Sequence, residues 1–320
     1  MGSGRSRRAI AVVAALAALS TVTACEVALP GAPNCPVTPN DSYWHAQVTS
    51  LPVSSSSSAY IATEGGGSSL HADFGSGLWD GGPIGIPYTT VPGTQPKVKV
   101  TFSIAGESDP GPYPIPANAP IEGGSASNGD RHVIVVDSDH CQLYEMWNAK
   151  PQADGSWKAG SGATWSLTSD AMRKAGYTSA DAAGLPILPG LVRYEEVAAG
   201  HVDHAIRITV PTTRTSYIWP ARHQAGSTSS TSAPPMGTWL RLKSTVNPAS
   251  YPADVRPIIV ALQTYGAIVA DNGSAWYISG VPDSRWNNDD LHALGAITGN
   301  DFQVVDASSL MVDPNSEQAK

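Results

Sequence analysis

Several things are scarce in this 320-residue chain, and each scarcity narrows what it can be. Charged residues make up only 14% of it, and three Phe stand against nine Trp. With 31 Gly and 26 Pro, that balance fits an extracellular β-rich protein. Three cysteines are too few for a disulfide-dense scaffold, and no Cys/His spacing suits zinc. No G-x-S-x-G elbow, H-E-x-x-H helix or phosphate-binding glycine loop occurs, so the common hydrolase, zinc-protease and nucleotide-binding signatures are missing. Beyond the N-terminus, no apolar run is long enough to cross a bilayer.

The N-terminus is different. Arg5, Arg7 and Arg8 precede the apolar run AIAVVAALAAL, as in a signal peptide over residues 1–24. The run ends in Val22-Thr23-Ala24-Cys25, which resembles a bacterial lipobox with Cys25 as the lipidated residue. An ordinary secretory signal cut near Ala24 is the competing reading. Either places the protein outside the cell, on the extracellular face of a bacterial membrane or secreted. With Cys25 lipidated, Cys35 and Cys141 remain as a disulfide pair in an oxidising compartment. Losing the three arginines leaves 16 basic against 27 acidic side chains, a net charge of −11. So acidic a chain argues against nucleic acid as a partner, and against membrane contact other than through the N-terminal lipid.

Residues 25–40 read as a Pro-rich tether, residues 41–306 as one β-rich domain and residues 307–320 as a polar tail. Within the domain, short β-like runs alternate with Gly/Pro punctuation: SAYIAT, GIPYTTV, PKVKVTFSI, RHVIVV, CQLYEMW, HAIRITV, TSYIW, TWLRLKSTV, SAWYIS and FQVVD. This predicts a mostly β, single-domain antiparallel sandwich or jelly-roll-like core. The peripheral helices expected are a short turn at 178–184, RYEEVAA ending at Gly200, and a longer segment over 253–267.

Two stretches carry candidate chemistry. HVDHAIRITVPTTRTSYIWPARH reads as a hairpin turning at 211–214. Its register puts His204, Tyr217, Trp219 and His223 on one face, and Arg207 and Arg222 on the other. A slip of one residue would bring Arg207 toward Trp219 instead. In RHVIVVDSDHCQLYEMW a tight turn at 137–140 sets His132 opposite Glu145. A carboxylate beside an imidazole serves acid–base catalysis, a metal ligand or a structural ion pair. Were the hairpins neighbours, His132, Glu145, His204 and His223 would converge. They would then act as catalytic residues, with Arg207, Tyr217, Trp219 and Arg222 holding substrate. The same four could hold a metal ion, although no cofactor is required. Asp271-Asn272-Gly273 reads as a turn, and Glu107, Asp109 and Glu122 as loop acids that are solvated or line a cleft.

Longer segments occur in order along most of residues 80–306: SDPGPYPIPANAPIEGG, GDRHVIVVDSDHCQLYEMWNA, AGLPILPGLVRYEEVAAGHVDHAIRITV, WPARH and YGAIVADNGSAWYISG. Together they resemble a family of uncharacterised secreted bacterial proteins. The resemblance implies one coherent secreted module and carries no reaction with it. Aromatic rings beside ionisable groups suit a sugar ring, so the expected function is action on extracellular or cell-wall polysaccharide, as a glycoside hydrolase or lyase. The alternative is a non-catalytic glycan-binding or scaffolding module.

Overall fold

Alternation along the strands assembles the core. In Val133–Asp137, Ile134 and Val136 enter one apolar cluster while Val133 and Val135 enter another. A strand buried on both faces needs covering layers on both sides. The computed structural model describes residues 1–2 and 27–320, so residues 3–24 of the expected signal peptide and Cys25 lie outside the described residues. Strand (26%) outweighs helix (18%), and the chain is a mostly β single domain.

The larger sheet has six strands, in the order His71–Asp73, Tyr277–Ser279, Ile206–Val210, Ala267–Asn272, Trp239–Leu242 and Phe302–Val305. Its pairing is mixed: the first pair and the central 206–210/267–272 pair are parallel, the rest antiparallel. The second sheet runs Ser161–Ser166, Gln142–Trp147, Val133–Asp137, Tyr88–Val91, with its last pair parallel. Trp44, Trp239 and Trp276 are fully buried in the cluster around the six-stranded sheet.

Several expected elements change. SAYIAT lies in the helix Ser57–Thr63, because Ser57, Tyr60 and Ile61 are its buried side chains and their spacing suits a helix. The long helix is Arg256–Thr264, preceded by a short 3-10 turn. It stops before Gly266 (φ 76°), where a Cβ would meet the Leu240 carbonyl at 2.3 Å. Val269 lies in the central strand that follows. Tyr194–Ala199 forms as expected and ends at Gly200 (φ 88°). Residues 178–184 form a turn without a helix.

Both segments that flank the expected domain pack against it. Leu29, Ala32, Cys35 and Val37 are buried against the four-stranded sheet, so the expected tether is part of the core from Leu29 onward. The Cys35–Cys141 disulfide is formed, with a Cα–Cα distance of 5.2 Å. The expected polar tail also packs: Leu310 is buried, and Glu317 accepts hydrogen bonds from Thr38 (3.2 Å) and Ser42 (3.1 Å). Apolar side chains in both segments outweigh their Pro-rich or polar appearance. No helix among the described residues is long and apolar enough to cross a membrane.

Candidate functional site

The first expected hairpin does not form. Ile206–Val210 pairs in parallel with Ala267–Asn272 and antiparallel with Tyr277–Ser279. Because Ile206, Arg207 and Ile208 are all buried, this strand needs a neighbour on each edge, and a terminal hairpin would supply one. The chain beyond it runs irregularly, touching Met236 through a bridge at Tyr217. The second hairpin forms two residues out of register, with Ile134 opposite Glu145. His132 is therefore not paired with Glu145.

Each of the four expected catalytic residues has its own set of hydrogen-bond partners, and none bonds to another of the four. Glu145 is fully buried and accepts the backbone N–H groups of Ile187 and Leu188, each at 2.9 Å. Burial pushes its carboxyl up to about 7 against the pull of those hydrogen bonds. Buried His204 faces the Ala205 carbonyl (2.8 Å) through Nδ1 and Glu196 (3.2 Å) through Nε2, and Glu196 is also paired with Arg193. His223 is half-buried, its Nδ1 2.8 Å from the Ala182 carbonyl. These contacts are the ones that satisfied structural groups make. Among the described residues, no group of three or more His, Cys, Asp or Glu is arranged to hold a metal ion.

Of the expected substrate-binding residues, Tyr217, Trp219 and Arg222 do share one groove of about 560 Å³, with Tyr60 and Trp239 in its walls. Arg222 is committed there to the carbonyl of Arg173 (2.7 Å) and to Asn315 Oδ1 (2.8 Å). Asp306 is the groove's one lining carboxylate. Arg207 lies elsewhere, buried in a charge cluster. Its Nε and Nη2 each lie 2.9 Å from an oxygen of Asp181, with Asp271 at 2.9 Å and Ser279 Oγ at 2.8 Å. Asp271, read as a turn residue, lies within the central strand Ala267–Asn272 instead. Burial pushes its carboxyl up to about 7, although Arg207 pulls it down.

A different cavity gathers acid–base groups. It encloses about 500 Å³ between the edge strand His71–Asp73, the short hairpin 78–83, the helix Asn288–His292 and the loop around Glu122. His71, Asp73, Trp79, Glu122, Tyr277 and His292 line it. Strand alternation sends His71 and Asp73 to the same side. Parallel pairing sets His71 beside Tyr277, and the two rings lie 4.2 Å apart at 30°. Asn288 ties the far wall down: it accepts from the Ser76 N–H (2.9 Å) and donates to the Ser76 carbonyl (3.0 Å).

Glu122 is held by His132 from behind. The His132 N–H donates to Glu122 Oε2 at 3.2 Å, and Nδ1 lies 2.6 Å from the same oxygen. In return the Glu122 N–H donates to the His132 carbonyl at 3.0 Å. His132 Nε2 faces the Ala180 carbonyl at 3.1 Å, so both ring nitrogens face acceptors. Next to it, Arg131 donates to the carbonyls of Ala149 (3.0 Å), Ser125 (2.9 Å) and Ser127 (2.9 Å), pinning the loop that carries Glu122. Burial opposes charge on His132, but the Glu122 charge and hydrogen bond overcome it and raise the imidazole to about 9. Burial likewise pushes Glu122 up, and the His132 charge and hydrogen bonds bring it below the ordinary carboxylate range. Asp73 is exposed at the cleft wall, yet the surrounding atoms displace enough water to push its carboxyl up. His71 pulls it down and Glu122 pushes it further up.

Glu122 was legible as a loop acid, and His132 was expected opposite Glu145 rather than beside Glu122. His71, Asp73, Trp79, Tyr277 and His292 escaped sequence reading. The only local signal was the His-x-Asp alternation at 71–73, which says nothing about what lies opposite. Comparison with protein-family models, curated proteins and solved structures finds no match for this chain.

Proposed function

We propose that this chain is a carbohydrate-active protein working on extracellular or cell-wall polysaccharide, with proton transfer of the hydrolase or lyase type in the cleft of Asp73 and Glu122. The observation that carries this reading is two carboxyl groups with opposite environments inside one aromatic-walled cleft. His132 holds Glu122 as a carboxylate, suited to act as base or nucleophile. Asp73, pushed toward its protonated form, is suited to deliver a proton to a leaving oxygen. Carboxyl groups whose surroundings drive them apart divide the roles of acid and base. His132 touches no open space and acts as a positioning residue for Glu122.

Display outside the cell rests on the basic and apolar N-terminus, and anchoring on the lipobox-like sequence ending in Cys25. A second reading, a non-catalytic glycan-binding module, is favoured by the groove of Tyr217 and Trp219. That groove offers rings and arginines without a carboxylate pair. A screen of the purified chain against a polysaccharide panel separates the two. Cleavage that disappears in folded Asp73→Asn supports the enzyme; cleavage unchanged in that variant removes Asp73 from the reaction. Binding without any cleavage supports the module.

A further inference from the structure

At the mouth of the same cleft stands a small hairpin. Leu78–Trp79 pairs with Gly82–Pro83 through two residue pairs, and Asp80 and Gly81 make its turn with φ of 47° and 83°. Leu78 and Trp79 are 71% and 78% exposed, more than any other large apolar side chain of the described residues except Met1. An apolar pair left open beside a polar cleft marks an interaction surface. Trp79 nevertheless belongs to the cleft wall, together with Asp73 and Glu122.

The foot of the hairpin rests on the Glu122 loop with no side chain between them. A Cβ at Gly82 would lie 2.0 Å from the carbonyl carbon and oxygen of Gly123, and one at Gly124 would lie 3.3 Å from the Gly82 Cα. Backbone packed on backbone has no rotamer to yield, so the spacing from Trp79 to Glu122 is built into the main chain. The charges of the cleft select the ligand. Its carboxyl groups are Asp73 and Glu122, its basic groups are the imidazoles of His71 and His292, and neither Lys nor Arg lines it. Asp80 adds another exposed carboxylate at the hairpin tip. Uronic, sulfated or phosphorylated ligands would meet these acids without a guanidinium or ammonium partner.

We propose that Trp79 is the platform on which a neutral pyranose ring of an extended glycan stacks, and that Gly82 packed on Gly123 sets that ring's position relative to Glu122. This assignment rests on the carbohydrate-active reading and names its substrate class. The apolar face of the sugar covers the indole while its hydroxyls stay toward water and the cleft's polar groups.

The test is calorimetric titration of the intact secreted chain with cellohexaose, chitohexaose and hexagalacturonate. Wild type binds at least one of the two neutral oligosaccharides more tightly than hexagalacturonate. Trp79→Ala weakens that binding about tenfold, and Trp79→Tyr retains it within about threefold. Both variants melt with wild type, because the indole packs on little. On a cleaved substrate, Gly82→Ala lowers kcat more than it raises KM. Wild-type affinity in Trp79→Ala, or preference for hexagalacturonate, overturns the assignment and leaves the carbohydrate reading standing. A wild-type chain that binds and cleaves no glycan overturns that reading, and this assignment with it.

Discussion

Replacing Glu122 by Gln removes one charge while keeping an oxygen in place for the His132 ring. The wild-type imidazole is raised from 6.5 to about 9. At about 1.4 kcal/mol per pH unit, this is worth roughly 3 kcal/mol to the folded state. The raised histidine contributes fully below pH 6.5 and loses its contribution as pH climbs through about 9. Glu122, lowered, describes the same interaction from the other side: its share is present above the ordinary carboxylate range and is lost as pH falls through its folded value. The pair is therefore most valuable between the ordinary carboxylate range and pH 6.5. In Glu122→Gln the buried ring loses its paired carboxylate, burial lowers it, and it should be neutral at pH 7. Urea unfolding of both proteins across pH 4 to 10 reads the difference directly. The gap in stability should be about 3 kcal/mol near pH 6 and should close above pH 9. NMR of the His132 ring should show it protonated at pH 7.5 in wild type and neutral in the variant. A gap that stays constant from pH 6 to 10, or a ring titrating near 6.5 in both proteins, would refute the ion-pair reasoning.

Other perturbations test the scaffold. Cys35→Ser opens a link between positions 106 apart in sequence and should cost about 4–5 kcal/mol by loop entropy. Its melting temperature should match that of reduced wild type, and no change on reduction would remove the bridge from the stability account. Glu145→Ala strands the N–H groups of Ile187 and Leu188 in the core, a loss of about 3 kcal/mol in urea unfolding. Glu145→Gln, which keeps an acceptor, should lose less; the reverse order would contradict a structural role. Arg207→Leu leaves Asp181 buried without its cation and should cost about 3–5 kcal/mol. An equally stable Arg207→Leu protein would mean that the charge cluster is not what holds these strands together.

By itself the amino-acid order determined everything carried by local periodicity and by elimination. Short β-like runs set between Gly/Pro punctuation, among them RHVIVV, HAIRITV and FQVVD, announced strands. RYEEVAA before Gly200 announced a helix and its stop. Cys35 and Cys141 were the pair left once Cys25 was set aside. These features are legible because they depend on neighbours a few residues away, or on composition alone. His132 was matched with a carboxylate only through a hairpin register that set it opposite Glu145, and that register does not form.

Which carboxylate it found was decided by tertiary structure. A turn accommodates either register of the 133–147 hairpin. The choice followed from filling both faces of a buried sheet, and it left Glu145 opposite Ile134 while the loop that precedes the strand delivered Glu122. The same holds for the strand at 206–210, whose burial demanded two neighbours from far along the chain instead of the return strand next to it. The cleft of His71, Asp73, Trp79, Glu122, Tyr277 and His292 joins segments up to some 220 residues apart. Strand adjacency is selected by the total apolar surface buried, a property of the whole molecule that no short stretch of chain encodes.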